Sequence, residues 1–130
     1  MHKPKIALTI AGTDPSGGAG VMADLKSFHS CGVYGMAAIT SIIAQNTKGV
    51  QHIHNLETSW VQEQLDSVFN DELPHAIKTG MIATHETMEL IQHYLKQHSD
   101  IPYVIDPVML AKSGDSLMDD DTKKHLQNTL

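Results

Sequence analysis

The chain has 130 residues, 41% of them hydrophobic, and a net charge of −6 from nine Lys and Arg against 15 Asp and Glu. That length supports one compact domain and is too short for two. The acidic balance, with no basic cluster larger than Lys123-Lys124, excludes a general nucleic-acid binder, which concentrates positive charge on one surface.

The opening MHKPK leads into only six or seven apolar-type residues before Gly12, shorter than a secretory core or a membrane span, so a cytoplasmic protein is expected. Residues 5–11 read as a strand. GTDPSGGAG, residues 12–20, then places four glycines, a proline and an aspartate where neither strand nor helix tolerates them. From Gly18 to Cys31, Val21, Leu25 and Phe28 share one helical face, with Gly32 as the stop. Cys31, the only cysteine, excludes an intrachain disulfide and fits a reducing compartment. At the negative end of its helix it reads as a buried or neutral thiol.

Met36–Ala44 is almost continuously small and apolar, the pattern of one strand covered on both faces, and Val50–Leu56 is a shorter strand. Thr58 or Ser59 can cap a helix that buries Val61, Leu65, Val68 and Phe69. Ala76–Gly80 is a strand, Thr84 caps a helix carrying Met88, Ile91 and Leu95, and Tyr103–Ile105 is a further strand ended by Asp106-Pro107. A last helix starts near Asp119, with Leu126 and Leu130 one turn apart. Nine histidines raise the question of a metal, but His52 and His54, the closest pair, have no completing ligands nearby and read as surface groups.

Strands alternating with helices predict an α/β domain with a mostly parallel sheet, and such sheets bind ligands beyond the carboxyl ends of their strands. GTDPSGGAG, QNTKG, TGM and DPVM would lie at that edge. A helix starting near Gly18 would also aim backbone N–H groups into the first loop. Two known phosphate loops fail to match. Gly12 and Gly17 have P-loop spacing, yet Gly18-Ala19 occupy the Lys-Ser/Thr places; Gly18-Ala19-Gly20-Val21-Met22-Ala23 fits a dinucleotide fingerprint, but the tight turn and the later acidic residue are missing. Asp24 is either an acid favoured near a helix N-terminus or a carboxylate projecting into the cleft.

LTIAGTDPSGGAG with Ala23-Asp24-Leu25-Lys26, Tyr34-Gly35, Ala44-Gln45-Asn46-Thr47, Gly49-Val50, Gln64-Leu65, Lys78-Thr79-Gly80-Met81, and Asp106-Pro107-Val108-Met109 with Ala111-Lys112-Ser113-Gly114 closely resembles the hydroxymethylpyrimidine/phosphomethylpyrimidine kinase family of thiamine biosynthesis. It also looks like the related pyridoxal kinases of the ribokinase-like superfamily. The resemblance runs in order to about residue 118. It implies a ribokinase-like three-layer α/β/α fold with a mostly parallel central sheet, of which residues 1–130 are the amino-terminal part of a single kinase domain. It further implies ATP and Mg²⁺, phosphorylation of the hydroxymethyl group and then of the monophosphate, and a homo-oligomer, a dimer.

Carried over, Asp24 and Gln45 would hydrogen-bond the aminopyrimidine edge, Gly12 and Ala19 would line the pocket, and Met81 and Val108 would pack on the ring. Asp106 would stand near phosphate and metal, and Lys112 would face the phosphates. The first loop would thus cradle a ring and leave ATP to other parts. The family's second glycine-rich motif, which supplies anion hole and catalytic base, has no counterpart in residues 1–130, so both are expected beyond Leu130. Pyridoxal kinase activity, or noncatalytic ring binding if the natural product ends at Leu130, are the alternatives.

Overall fold

The computed structural model describes residues 3–107 and 120–130. Strand β1 (Ile6–Ala11) sits inside a four-stranded sheet ordered β2-β1-β5-β6, with β2 at Tyr34–Ile39, β5 at Ala76–Thr79 and β6 at Tyr103–Ile105, every pair parallel. Alternation along β1 divides its side chains. Leu8 and Ile10, with Ile77, face the main core, where helices α2 (Thr58–Phe69), α3 (His85–Gln97) and α4 (Asp120–Thr129) bring Val61, Leu65, Met88, Ile91, Tyr94 and Leu126. Ala7, Thr9 and Ala11 turn the other way, toward helix α1 (Gly20–Ser30). The result is the expected three-layer α/β/α arrangement.

Three sequence expectations are corrected. The apolar run Met36–Ala44 is not one strand covered on both faces. It breaks at Thr40 into β2 and β3 (Ser41–Asn46), and β3 pairs antiparallel with β4 (Gly49–Asn55) as a separate two-stranded sheet. In β3 the side chains alternate between buried and exposed, with Ile43 4% and Ile42 47% exposed. Thr40 is fixed at the break by three bonds: its N–H donates to Ala11 O (2.9 Å), its carbonyl accepts from Leu56 N (3.0 Å), and its hydroxyl donates to Met81 O (2.7 Å). QNTKG is therefore the end of a hairpin. Helix α2 is capped at Glu57 without a side-chain bond, so neither Thr58 nor Ser59 is its N-cap, whereas Thr84 does cap α3 by accepting from Thr87 N at 3.3 Å. Cys31 is exposed, which removes the buried alternative: it is the C-cap of α1, where the chain turns through Gly32 (φ +73°) to enter β2.

The two sheet edges differ. At β2 the carboxamide of Gln64 accepts from Ile39 N (2.7 Å) and donates to Ile39 O (2.9 Å), filling the place of a neighbouring strand. At β6, Val104 is 61% exposed.

Tyr94 gives the core a pH signature. Its ring is 8% exposed and packs 5.1 Å from Phe69, and its hydroxyl donates to Asp66. Burial, that hydrogen bond and the nearby Asp66 charge push the phenol from 10.0 up to about 12. A raised acid keeps its proton longer in the folded state, so its stabilising contribution is complete below pH 10 and is lost as pH rises through about 12. Tyr94→Phe is expected to flatten the fall in urea midpoint across this range; an unchanged slope would contradict the assignment.

Candidate ring-binding site

Beyond the carboxyl ends of β1, β5 and β6 lies a cleft of about 620 Å³, bounded on one side by the GTDPSGGAG loop and the start of α1 and on another by the β3–β4 hairpin. Gly12, Ala19, Asp24, Gln45, Met81 and Asp106, the sequence candidates that fall on described residues, all line it. Val108 and Lys112 lie outside the described residues. Residues to which the sequence reading gave no individual role also contribute: Lys78 and Gly80 from β5 and its end, Ile43 from the hairpin, and Asp14 from the loop.

The loop is shaped from within by Asp14. Its carboxylate accepts from Ser16 N (2.9 Å), Ser16 Oγ (2.6 Å) and Gly18 N (3.0 Å). Burial pushes this carboxyl upward, but the bonds from Ser16, the Gln45 side chain and the two backbone N–H groups outweigh it and hold it below its ordinary value. Gly18 N–H is thus used by the loop itself, and Val21 N donates to Gly12 O at 2.9 Å, so α1 starts at Gly20, two residues later than the apolar spacing implies. A loop that already holds a carboxylate among its own donors is poorly suited to grip a second anion, which favours a neutral ligand at this wall.

Thr13 joins loop to hairpin. Its N–H donates to Ser41 O (3.0 Å) and its hydroxyl accepts from Ile43 N (2.9 Å), which brings Ile43 over Gly12 so closely that a Cβ on Gly12 would meet Ile43 Cδ1 at 2.9 Å. Buried Ile43 and Met81, with Ala11, give the cleft apolar surface, and Gln45, Asp24 and Lys78 give it directional polar groups. Gln45 lies beside Asp14 at the cleft wall, and its carboxamide can offer two N–H donors and a carbonyl acceptor. Asp24 is held from beneath, Oδ2 accepting from Thr9 Oγ1 at 2.6 Å and from Lys78 Nζ at 2.8 Å.

Apolar walls with a few fixed polar groups, at the carboxyl ends of parallel strands, are the features that ligand pockets of α/β domains have in common. Residues 14–130 match the family model for phosphomethylpyrimidine kinase, and the chain belongs to that family. It is 82% identical over 130 residues to hydroxymethylpyrimidine/phosphomethylpyrimidine kinase of Staphylococcus aureus strain Mu50, covering 100% of this chain and 47% of the relative. To the protein of the same description from Escherichia coli K12 it is 48% identical over 124 residues, 95% of this chain and 47% of the relative. Among solved structures, phosphomethylpyrimidine kinase from Clostridium difficile 630 superposes with TM-score 0.84 at 45% identity, over 94% of this chain and 53% of that one. Pyridoxal kinase from Staphylococcus aureus in complex with pyridoxal gives 0.85 at 31%, over 99% and 47%. The fold is therefore ribokinase-like, and the chain spans about half the length of the relatives it matches. No helix among the described residues is long and apolar enough to cross a membrane.

Proposed function

We propose that the polypeptide carrying this sequence phosphorylates 4-amino-5-hydroxymethyl-2-methylpyrimidine and then its monophosphate, using ATP and Mg²⁺, and that residues 1–130 form the ring-binding part of its single kinase domain. The observation that carries this reading is the convergence of Asp24 and Gln45 with buried Met81 and Ile43 around one cleft, in a chain 82% identical to a kinase of that description. Asp24 and Gln45 take the amine and ring-nitrogen edge, Met81 and Ile43 cover the ring faces, and Gly12 and Ala19 leave room for the ring to approach the backbone. Val108 is given a ring contact by the family resemblance alone. The chain's own residues bind and orient the alcohol, and orientation of the attacking oxygen is a large part of what phosphoryl transfer requires.

Asp106, its side chain 55% exposed, stands where the cleft opens and fits a place beside the phosphates and metal. Among the described residues no three potential metal ligands converge, so a magnesium shell would be completed by phosphate oxygens, water and other parts of the polypeptide. Lys112 serves as a point charge toward the phosphates. The proton acceptor and the anion hole are assigned beyond Leu130, and the working form is a dimer.

ADP release by the complete polypeptide with the pyrimidine alcohol and Mg²⁺-ATP tests the reading, which predicts turnover. In Gln45→Ala, loss of a ring contact is expected to raise KM for the pyrimidine about tenfold while leaving KM for ATP unchanged. Phosphorylation of pyridoxal is the second reading, favoured by the superposition on the pyridoxal complex. Competition between the two alcohols for one site separates them: a pyridoxal kcat/KM above that of the pyrimidine would reverse the order.

A further inference from the structure

Lys78 is the one cation in the floor of the cleft among the described residues, and its surroundings are built to hold it. Its side chain is 19% exposed, and Nζ lies 2.8 Å from Asp24 Oδ2 and 3.8 Å from Asp106 Oδ2. The strand register places Lys78 directly opposite Thr9, so the two donors to Asp24 Oδ2 rise side by side from neighbouring rigid strands, β5 and β1. Thr9 is fully buried. Gly80 supplies space for the ammonium: a Cβ there would come within 3.0 Å of Lys78 Nζ and 2.9 Å of Ala11 Cβ.

This geometry has a chemical consequence. Two donors on one carboxylate oxygen use its two lone pairs, so Oδ1 is left as the acceptor that Asp24 can offer a ligand. A carboxylate gripped by donors from two strands also has a fixed plane, and the direction of the remaining acceptor is set by the sheet beneath it. The cation also sets a positive charge 2.8 Å from the Asp24 carboxylate.

We propose that Lys78 is a positioning residue for ring recognition: paired with Thr9, it fixes the orientation of Asp24 so that Oδ1 meets the amine of the bound aminopyrimidine, and it ties that carboxylate to Asp106 at the phosphate side. The proposal rests on the ring-binding reading given above. Lys78 itself acts through Asp24 and does not touch the reacting atoms.

Kinetics of the complete polypeptide with the pyrimidine alcohol and Mg²⁺-ATP test it through a double-mutant cycle on Lys78→Met and Asp24→Asn. Each single change is expected to raise the pyrimidine KM about tenfold or more, with KM for ATP within about twofold of the original. Because Lys78 works through Asp24, adding Lys78→Met to Asp24→Asn should change the pyrimidine KM by less than about twofold. That comparison stands even if Lys78→Met alone misfolds, since the double variant buries neither charge. Multiplying effects, or a Lys78→Met effect confined to kcat or to KM for ATP, overturn the role of Lys78 while leaving the kinase reading intact. Absence of pyrimidine turnover in the unsubstituted polypeptide overturns that reading and this inference with it.

Discussion

Replacing Gly20 with alanine is expected to cost about 3 kcal/mol and to lower the thermal midpoint by on the order of 10 °C. Two independent penalties add at this position. Its φ of +60° lies in the left-handed region, where a side chain costs about 1–2 kcal/mol. The new Cβ would also stand 2.3 Å from Gly12 O and 3.2 Å from its carbonyl carbon, backbone atoms that cannot rotate away. Gly12 O accepts the bond from Val21 N, so relieving the clash loosens the junction between β1 and α1, and with it the wall of the cleft. Gly32→Ala is the internal control: φ is +73°, yet nothing lies within 4 Å of its added Cβ, so only the conformational penalty of about 1 kcal/mol should appear. Equal losses in the two variants, measured by thermal unfolding, would show that the close approach at Gly20 has no energetic weight.

Leu65→Ala should be the more damaging of two leucine truncations, at about 3 kcal/mol against about 1 kcal/mol for Leu25→Ala. The difference comes from the unequal faces of the sheet. Leu65 has no exposed surface and sits in the main cluster with Leu8, Ile77, Met88 and Ile91, where partners on two helices and the sheet cannot all close over the void. Leu25 belongs to α1, the one helix on the opposite face among the described residues, is only half-buried, and packs over Gly35, whose absent side chain lets Leu25 and Phe28 settle on β2. Solvent already reaches the site, so truncation leaves a dent and no closed cavity. Denaturant unfolding of the two variants would give the ranking, and a reversed order would refute this account of the core.

The order of elements was legible because each long helix carries its own apolar stripe and each short strand its own punctuation: Val61, Leu65 and Val68 in α2, Met88 and Ile91 in α3, and Gly80 after β5. The break at Thr40 was not. No glycine, proline or charged residue marks it, and the chain turns there because Ala11, Leu56 and Met81 hold Thr40, partners up to 41 residues away in sequence. The cleft was half legible for a similar reason. Gly12, Ala19, Asp24, Gln45, Met81 and Asp106 stand in short distinctive motifs, and the fold brings them together. Lys78 sits inside one of the same motifs, but its importance depends on the pairing of β5 with β1 opposite Thr9, which no local pattern encodes. Asp14 was likewise hidden: in sequence it is one polar residue of a turn, and in space it is the acceptor around which the turn is wound.

Gln64 gives the sheet a direction. Its carboxamide occupies both hydrogen-bonding groups of Ile39 on the outer side of β2, so a further strand could not pair at that residue without displacing it, whereas Tyr103–Ile105 carries no such side-chain plug among the described residues. Of the two sheet edges formed by the described residues, the one at β6, next to Asp106 and the cleft, is the less protected against pairing.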